Sequence, residues 1–314
     1  MNKKHKSISY AKWGYIFIIP FFLVYIIFSL IPTLSTFYYS FFDMGFDPNT
    51  YTDFQTFVGF DNYAKLLSFE DGSNRFFQYF GNTLIMWVLG AVPQLLFSLL
   101  LAVIFTSARL KIKGQRFFKT VIYMPNLIMA ASYSLLFVGL FSDIGPINAL
   151  ITSIAGEPFS FLSDPWGVRL VVAFVNFIMW FGNTTILLMA GIMGIDQSLF
   201  EAAQIDGASG MQVFTKITLP LLMPILVYVA ITSLIGGLQM FDVPQIMRTQ
   251  STPIESSRTM IMWLNNLITG DARKYGLGGA MSVLIFVVTG VLSIIVYKTM
   301  VTSPDKPKSK KKAK

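Results

Sequence analysis

Every Asp, Glu, Lys and Arg in this 314-residue chain avoids six long intervals, 13–42, 76–108, 120–142, 170–195, 217–241 and 275–297. Each is at least 23 residues long, and a helix needs roughly 20 apolar residues to cross the hydrocarbon core of a bilayer. A charge at the centre of such a helix costs about 2.5–3.5 kcal/mol on insertion scales, so charges collect in loops. The intervals predict six spanning helices near 14–34, 83–105, 121–141, 170–190, 219–238 and 278–297. Helices this apolar in a soluble protein would need polar sequence to wrap them. Only 13% of residues are charged, against about 25% in soluble domains. The predicted fold class is all-α and integral to a membrane.

Lys3, Lys4, Lys6 and Lys12 precede the first interval as a basic n-region would. The apolar stretch from Gly14 to Leu30 is long for a signal peptide and no small-x-small site follows it, so it reads as a retained helix. Pro20 is tolerable there, since neighbouring helices and water satisfy freed backbone groups in a bundle. Six crossings put both termini on one side. If that side is cytoplasmic, 17 Lys and Arg lie inside and 7 outside, the bias that topology favours. Two loops fit poorly. The 242–274 loop lies outside yet carries Arg248, Arg258, Arg273 and Lys274, and the 191–216 loop lies inside yet holds Asp196, Glu201 and Asp206 against Lys216. The chain divides into a basic cytoplasmic N-terminus over 1–12, a six-helix transmembrane domain over 13–300 with its inner loop at 191–218, and a disordered basic tail over 301–314. The tail's lysines suit an anionic leaflet, at about 1 kcal/mol each near the surface, and no nucleic-acid partner is expected.

No Asp, Glu, Lys or Arg falls inside a predicted span. Proton-coupled carriers commonly place carboxylates there as relays, whereas sodium can be held by backbone carbonyls and hydroxyls. The sequence has no phosphate loop of the G-x-x-x-x-G-K-[ST] type, so ATP cannot drive it in the usual way without another polypeptide. There is no cysteine and one histidine, His5, and no H-E-x-x-H or G-x-S-x-G pattern; no catalytic residue, metal or cofactor is assigned to the chain.

The loop Asp196-Gln-Ser-Leu-Phe-Glu-Ala-Ala-Gln-Ile-Asp-Gly-Ala-Ser-Gly210 predicts a short helix from about Leu199, with Ser198 and Glu201 at capping-box spacing. Gly207 suits the left-handed position that ends it. A second amphipathic helix follows from about Met211 to Leu219, with Pro220 in the first turn of the fifth span. By periodicity alone this is either an interfacial connector or a rigid element able to transmit a push. The string Glu201-Ala-Ala-Gln-Ile-Asp-Gly-Ala208, followed by Ile217-Thr-Leu-Pro220, resembles the EAA motif of ABC importer permeases. Gly59-Phe-Asp-Asn-Tyr-Ala-Lys-Leu-Leu67 resembles the G-x-D-N-Y segment of the sugar-type subfamily, which includes the maltose and glycerol-phosphate permeases. Tyr15-Ile-Phe-Ile-Ile-Pro20 and Leu238-Gln-Met-Phe-Asp-Val-Pro244 are similar too, while Thr249-Gln-Ser-Thr-Pro253 lacks the glycine pair of the family's T-x-G-G-P turn.

Polar uncharged side chains within spans are the candidates for a ligand site. Asn176, Trp180, Asn183 and Thr184 recur at i, i+4, i+7 and i+8 and share one face. Two readings stand together. Amides and an indole suit a sugar's hydroxyls and apolar face, and the same side chains suit interhelical hydrogen bonds at about 0.6 kcal/mol each. The fifth span offers Ser233, Gly236, Gly237 and Gln239, with Asp242 just past its end as cap or gate. The glycine pair either opens space or permits a close helix crossing. Asn82 and Met86, and Ser282, Thr289 and Ser293, are assigned to packing, and 259–270 to a surface helix.

The resemblance implies a type I ABC importer permease fold with a cytoplasmic EAA coupling helix between helices four and five. It implies that Glu201, Ala202, Ala203, Asp206 and Gly207 meet an ATPase. Asn176, Trp180, Asn183, Thr184, Ser233, Gly237 and Gln239 would then line a path for a sugar, an oligosaccharide. It further implies a second homologous permease, two ATPase subunits that bind the ATP and Mg, an extracellular solute-binding protein, and a multi-pass place in a bacterial inner membrane. The alternatives are a stand-alone secondary carrier for a neutral solute and a membrane enzyme acting on lipid. The latter would need a titratable cluster near one interface, and none is visible. An exporter is disfavoured by the outer-loop segments and the lack of a fused ATPase.

Overall fold

The computed structural model describes residues 11–47, 50, 52–69, 74–107, 110, 113–248, 252–271 and 273–301. Among these, six stretches are long and apolar enough to cross a membrane: Lys12–Tyr39, Arg75–Thr106, Ala130–Ala155, Pro165–Met193, Gly210–Ile246 and Tyr275–Val301. The number matches the six expected spans, and five of the stretches contain the expected intervals, while the third, Ala130–Ala155, only overlaps the one expected at 121–141. Nearly all of the basic segments expected at 1–12 and 301–314 lies outside the described residues, as does Thr249-Gln-Ser of the departing turn.

The chain falls into two compact units, Met1–Phe69 with Leu264–Leu284, and Glu70–Trp263 with Ile285–Lys314. The first opens with α1 (Ala11–Tyr25), which passes through a π-turn at Ile26–Leu30 into α2 (Ile31–Tyr39). An antiparallel hairpin follows, β1 (Phe42–Asp47) on β2 (Thr52–Phe57), with Phe42 opposite Phe57 and Asp47 opposite Thr52. This hairpin departs from the all-α expectation. Its aromatic pair Phe42–Phe57 meets edge to face at 5.4 Å, the kind of cross-strand contact that stabilises a small sheet.

After the hairpin, Gly59 takes a left-handed turn (φ 58°) into α3 (Asp61–Leu67). Buried Asn62 donates to the carbonyls of Ser40 (3.0 Å) and Phe42 (2.8 Å), and the Tyr63 hydroxyl donates to Ser40 Oγ at 2.7 Å. The Gly-x-Asp-Asn-Tyr segment is thus a turn and a polar tie between α3 and the α2–β1 junction.

The second unit contains α4 (Arg75–Thr106), α5 (Gln115–Tyr123), α6 (Ala130–Phe141), α7 (Pro146–Ala155), α8 (Pro165–Met193), α9 (Gln197–Ile205), α10 (Gly210–Val213), α11 (Leu219–Leu238), α12 (Asp242–Ile246) and α13 (Ile254–Ser257). Two further helices, α14 (Met260–Thr269) and α15 (Tyr275–Val301), run on to the end of the described chain. The helix over 260–269 meets the expectation of a short helix at 259–270. Helices α4 and α8 form the spine, close enough that a Cβ on Gly90 would stand 2.9 Å from the Ala173 carbonyl oxygen. One apolar cluster joins Met86, Val172, Val175, Met240 and Val243. A second joins Ala102, Leu188, Ile192 and Leu222 near the other end of the spine.

The third span is not the single helix expected at 121–141. After α5 the chain tightens into a 3-10 turn at Met124–Leu127, and α6 begins at Ala130. Pro125 lacks an amide hydrogen and cannot continue an α-helical ladder. The break has a use, because Asn126 donates to the Met179 carbonyl of α8 at 3.2 Å. Nearby, any side chain at Gly182 would overlap the Ile122 carbonyl. The second loop helix expected over 211–219 is not separate either: α10 passes through a π-turn at Phe214–Thr218 into α11, so one helical run carries the loop into the fifth span.

Candidate functional site

Two regions of the second unit gather the polar residues singled out by pattern. The first is a cavity of about 500 Å³ bounded by α4, α8, α11 and α12. All seven residues expected on a path (Asn176, Trp180, Asn183, Thr184, Ser233, Gly237 and Gln239) line it. The α8 stripe faces it because helical spacing puts those residues on one side. Periodicity does not say what that side packs against; α4 and α11 supply it.

Within the cavity the residues divide by what they already hold. Thr184 is buried and its hydroxyl accepts from Gln94 Nε2 at 2.8 Å, an interhelical bond. Ser233 Oγ accepts from the Trp87 indole at 3.2 Å. Gly237 lies under the same indole, so a side chain there would overlap the ring. These three build the wall. Asn176 donates to its own helix at Val172 O, 2.9 Å, and to Met240 Sδ at 3.6 Å, which ties α8 to the segment before α12. Trp180 is 48% exposed, and Gln239 is exposed at the end of α11. With Asn183, these offer an indole face and two amides to whatever occupies the space. Trp87, Gln94, Tyr228 and Phe241 also line it, and pattern reading missed them. Trp87 and Gln94 sit seven residues apart on α4, a spacing that identifies a shared face but not which face turns inward.

The second region is the segment between α8 and α11. Asp196 caps α9, its carboxylate accepting from the Ser198 amide at 2.9 Å. The expected cap, Ser198, lies one position inside the helix, because the aspartate two residues earlier takes its donor. Hydrogen bonds from Ser198, the backbone amide first, hold the Asp196 carboxyl below the usual carboxylate range. At the far end Gly207 takes φ +71°. Ala208 N donates to Ala203 O (2.9 Å) and Gly207 N to Gln204 O (3.1 Å), the paired bonds of a Schellman cap. Ser209 and Gln212 then form a true capping box at the start of α10. That Ser-x-x-Gln spacing was present in the sequence and passed over.

Helix α9 has two faces. Glu201, Ala202, Asp206 and Gly207 are exposed, together with Ile205 at 87% and Leu199 at 43%. Ala203 is 8% exposed and turned inward, so it does not share the open face with the other four. Phe200 and Gln204 look into a recess of about 510 Å³ against Val103, Ile192 and Phe214, its lining uncharged among the described residues. The helix therefore rides on the span ends through one side and presents an apolar tip flanked by carboxylates on the other.

A third cluster was not foreseen. Asn82, assigned to packing, is 3% exposed and donates to the carbonyls of Glu255 (2.7 Å) and Arg258 (3.2 Å). It accepts from Arg169 at 2.7 Å. Arg169 also donates to Ser256 O at 3.0 Å and lies 5.1 Å from the Trp166 ring centre. The Tyr79 hydroxyl donates to the Glu255 carboxylate at 3.2 Å, and the Arg258 guanidinium covers the Tyr79 ring at 5.5 Å. This knot fastens the 254–260 segment to the first turns of α4 and α8. Arg169 falls inside α8 because that helix begins at Pro165, five residues before the charge-free interval.

The pattern of the family described as "binding-protein-dependent transport system inner membrane component" matches residues 83–303. The chain is 31% identical over 223 residues to a lactose transport system permease protein of Rhizobium radiobacter, covering 70% of this chain and 74% of that one. It is 28% identical over 293 residues to a trehalose/maltose transport system permease protein of Thermococcus litoralis, covering 92% and 93%. An arabinooligosaccharides transport system permease protein of Bacillus subtilis is 29% identical over 293 residues, with 90% and 87% covered. Among solved structures, a bacterial ABC transporter involved in import of the acidic polysaccharide alginate superposes with a TM-score of 0.77. The match covers 93% of this chain and 96% of that one at 24% identity, a likeness of fold.

Proposed function

The chain belongs to the family of binding-protein-dependent transport system inner membrane components, and from that premise we propose that it is one permease subunit of an ATP-driven importer for an oligosaccharide. The observation that carries the reading is the 83–303 match, which spans both the cavity and α9. The relatives named for lactose, trehalose/maltose and arabinooligosaccharides support a sugar cargo. Membership brings a solute-binding protein as partner. A second permease completes the passage, and two ATPase subunits bind ATP and Mg and drive the cycle. Both termini face the cytoplasm, in keeping with 17 Lys and Arg on that side against 7. Helix α9 then projects into the cytoplasm as the docking element. Its tip, Ile205 between Glu201 and Asp206, suits an apolar recess rimmed by basic residues.

In this scheme the chain performs no covalent chemistry. Closure of the ATPase pair moves α9, and the continuous run α10–π-turn–α11 carries the movement to the cavity wall at Ser233 and Gly237. The indole of Trp180 stacks on the apolar face of a sugar ring, and Asn183 and Gln239 bond its hydroxyls. The test is affinity purification of the detergent-solubilised chain with its partners identified. The Glu201→Lys variant is expected to insert normally while losing the ATPase and transport. A lone chain that moves sugar into liposomes without ATP would overturn the proposal in favour of a secondary carrier. So would a Glu201→Lys variant that transports like wild type.

A further inference from the structure

The charge of the cargo is a separate question from its class. The fold itself does not decide it, since the alginate importer, whose cargo is acidic, shares that fold. The lining side chains must. Among the described residues bounding the 500 Å³ cavity there is no Lys, Arg or His, and the one ionic group is Asp242, exposed at the start of α12, three residues beyond Gln239. The remaining polar groups are amides, hydroxyls and indoles. An anion entering this half of the passage would meet no fixed cation and one fixed carboxylate. A neutral polyol would meet donors and acceptors only.

We infer that Asp242 sets the charge preference of the passage, so that the chain accepts neutral oligosaccharides and discriminates against uronate-bearing ones. This rests on the sugar reading and sharpens it to a ligand class. The position suits the task. Among the described residues of the cavity wall, no base stands beside the Asp242 carboxylate to neutralise it. Asn176, which bonds Met240 Sδ, fixes the strand of chain just before it, so the carboxylate is held at the cavity by buried neighbours Met240 and Val243.

The natural chain contains no cysteine, so one introduced thiol reports local potential without background from this chain. Phe241→Cys, at a lining residue given no part in holding the sugar, places a thiol on the residue next to Asp242, about 3.8 Å away between Cα atoms. In the assembled transporter, the reaction rates of an anionic and a cationic methanethiosulfonate are compared, with labelling read on this chain. One unit charge at that range changes the rate of each reagent in opposite directions, so removing it by Asp242→Asn should raise the anionic-to-cationic ratio roughly fivefold or more. An unchanged ratio overturns the inference. Protection of the thiol then separates this inference from the reading beneath it. A panel of neutral trisaccharides (malto-, arabino-) is expected to protect at roughly tenfold lower concentration than trigalacturonate, and Asp242→Asn should close that gap. If trigalacturonate protects wild type as well as the neutral sugars, Asp242 does not discriminate and the inference fails while the sugar reading stands. If no sugar protects, the sugar reading itself fails.

Discussion

Replacing Asn82 with leucine keeps the volume of a buried side chain and removes every polar contact it makes. The wild-type amide donates to the carbonyls of Glu255 and Arg258 and accepts from Arg169. A neutral hydrogen bond contributes about 0.5–1.5 kcal/mol net, and one to a charged donor about 1.5–3 kcal/mol. The undiscounted sum approaches 6 kcal/mol. Arg169 and the 255–258 segment are partly open to solvent, so water recovers some of it, and about 2–4 kcal/mol is expected. That is smaller than the total stability of a domain, about 5–15 kcal/mol, so the helices should hold while the 254–260 segment loosens. The Met260 amide, which donates at 3.1 Å to Oγ1 of Thr83, the residue after Asn82 on α4, is the reporter. Its hydrogen exchange in the purified protein should accelerate roughly 30- to 1,000-fold, at 1.36 kcal/mol per decade. Asn82→Asp keeps the acceptor for Arg169 and should fall between wild type and Asn82→Leu. Acceleration of less than about threefold in Asn82→Leu would mean that the knot does not hold the segment.

Gly182→Ala puts a methyl on the Ile122 carbonyl, and backbone cannot rotate out of the way as a side chain can. A cost of about 1–3 kcal/mol or more should lower the unfolding temperature by several degrees in a thermal melt, and a wild-type melting point would show that the crossing relaxes. Trp180→Ala, at a half-exposed position, should leave that melting point alone yet raise the half-saturating sugar concentration for transport by roughly two- to twelvefold, the worth of one stacking contact. The α9 cap has a signed pH dependence. Because Asp196 is held below its ordinary value, the cap's contribution is complete above about pH 4, the ordinary aspartate value. It is lost only as pH falls through the lower folded value. Protease sensitivity of 196–208 should therefore be flat from pH 6 to 8 and unchanged by any histidine-range titration; a step near pH 6.5 would contradict it.

What could be read from sequence was what local rules determine. The six spans followed from charge exclusion, which acts residue by residue. The α9 terminator followed from Gly207, since a left-handed residue there needs glycine. The α9 start was misplaced by one rule overriding another: Ser198 and Glu201 have capping-box spacing, yet Asp196 stands two residues earlier with a stronger acceptor. The break in the third span was signalled by Pro125 and overlooked, because the charge-free interval ran through it. The cavity lay partly beyond reach. The α8 face was legible at i, i+4, i+7 and i+8, but Gln94 meets it at Thr184 across 90 positions of sequence, and Trp87 meets Ser233 of α11 across 146.

The same distinction resolves the charges that fitted poorly. Arg169, Arg258 and Arg273 all sit on the side proposed to be external, where the positive-inside bias would exclude them. The first two belong to the Asn82 knot. The third lies 5.4 Å from the centre of the Phe46 ring, and its carbonyl accepts from the Phe46 amide at 3.3 Å, anchoring the β-hairpin. A base held by a ring and by carbonyls in the fold has a structural role of its own, so it is not a free cation in the count. Set aside, these three leave four bases outside against 17 inside. The bias that supports the proposed cytoplasmic termini is then steeper than the raw count, and two of the four bases in the 242–274 loop, Arg258 and Arg273, are accounted for by contacts within the fold.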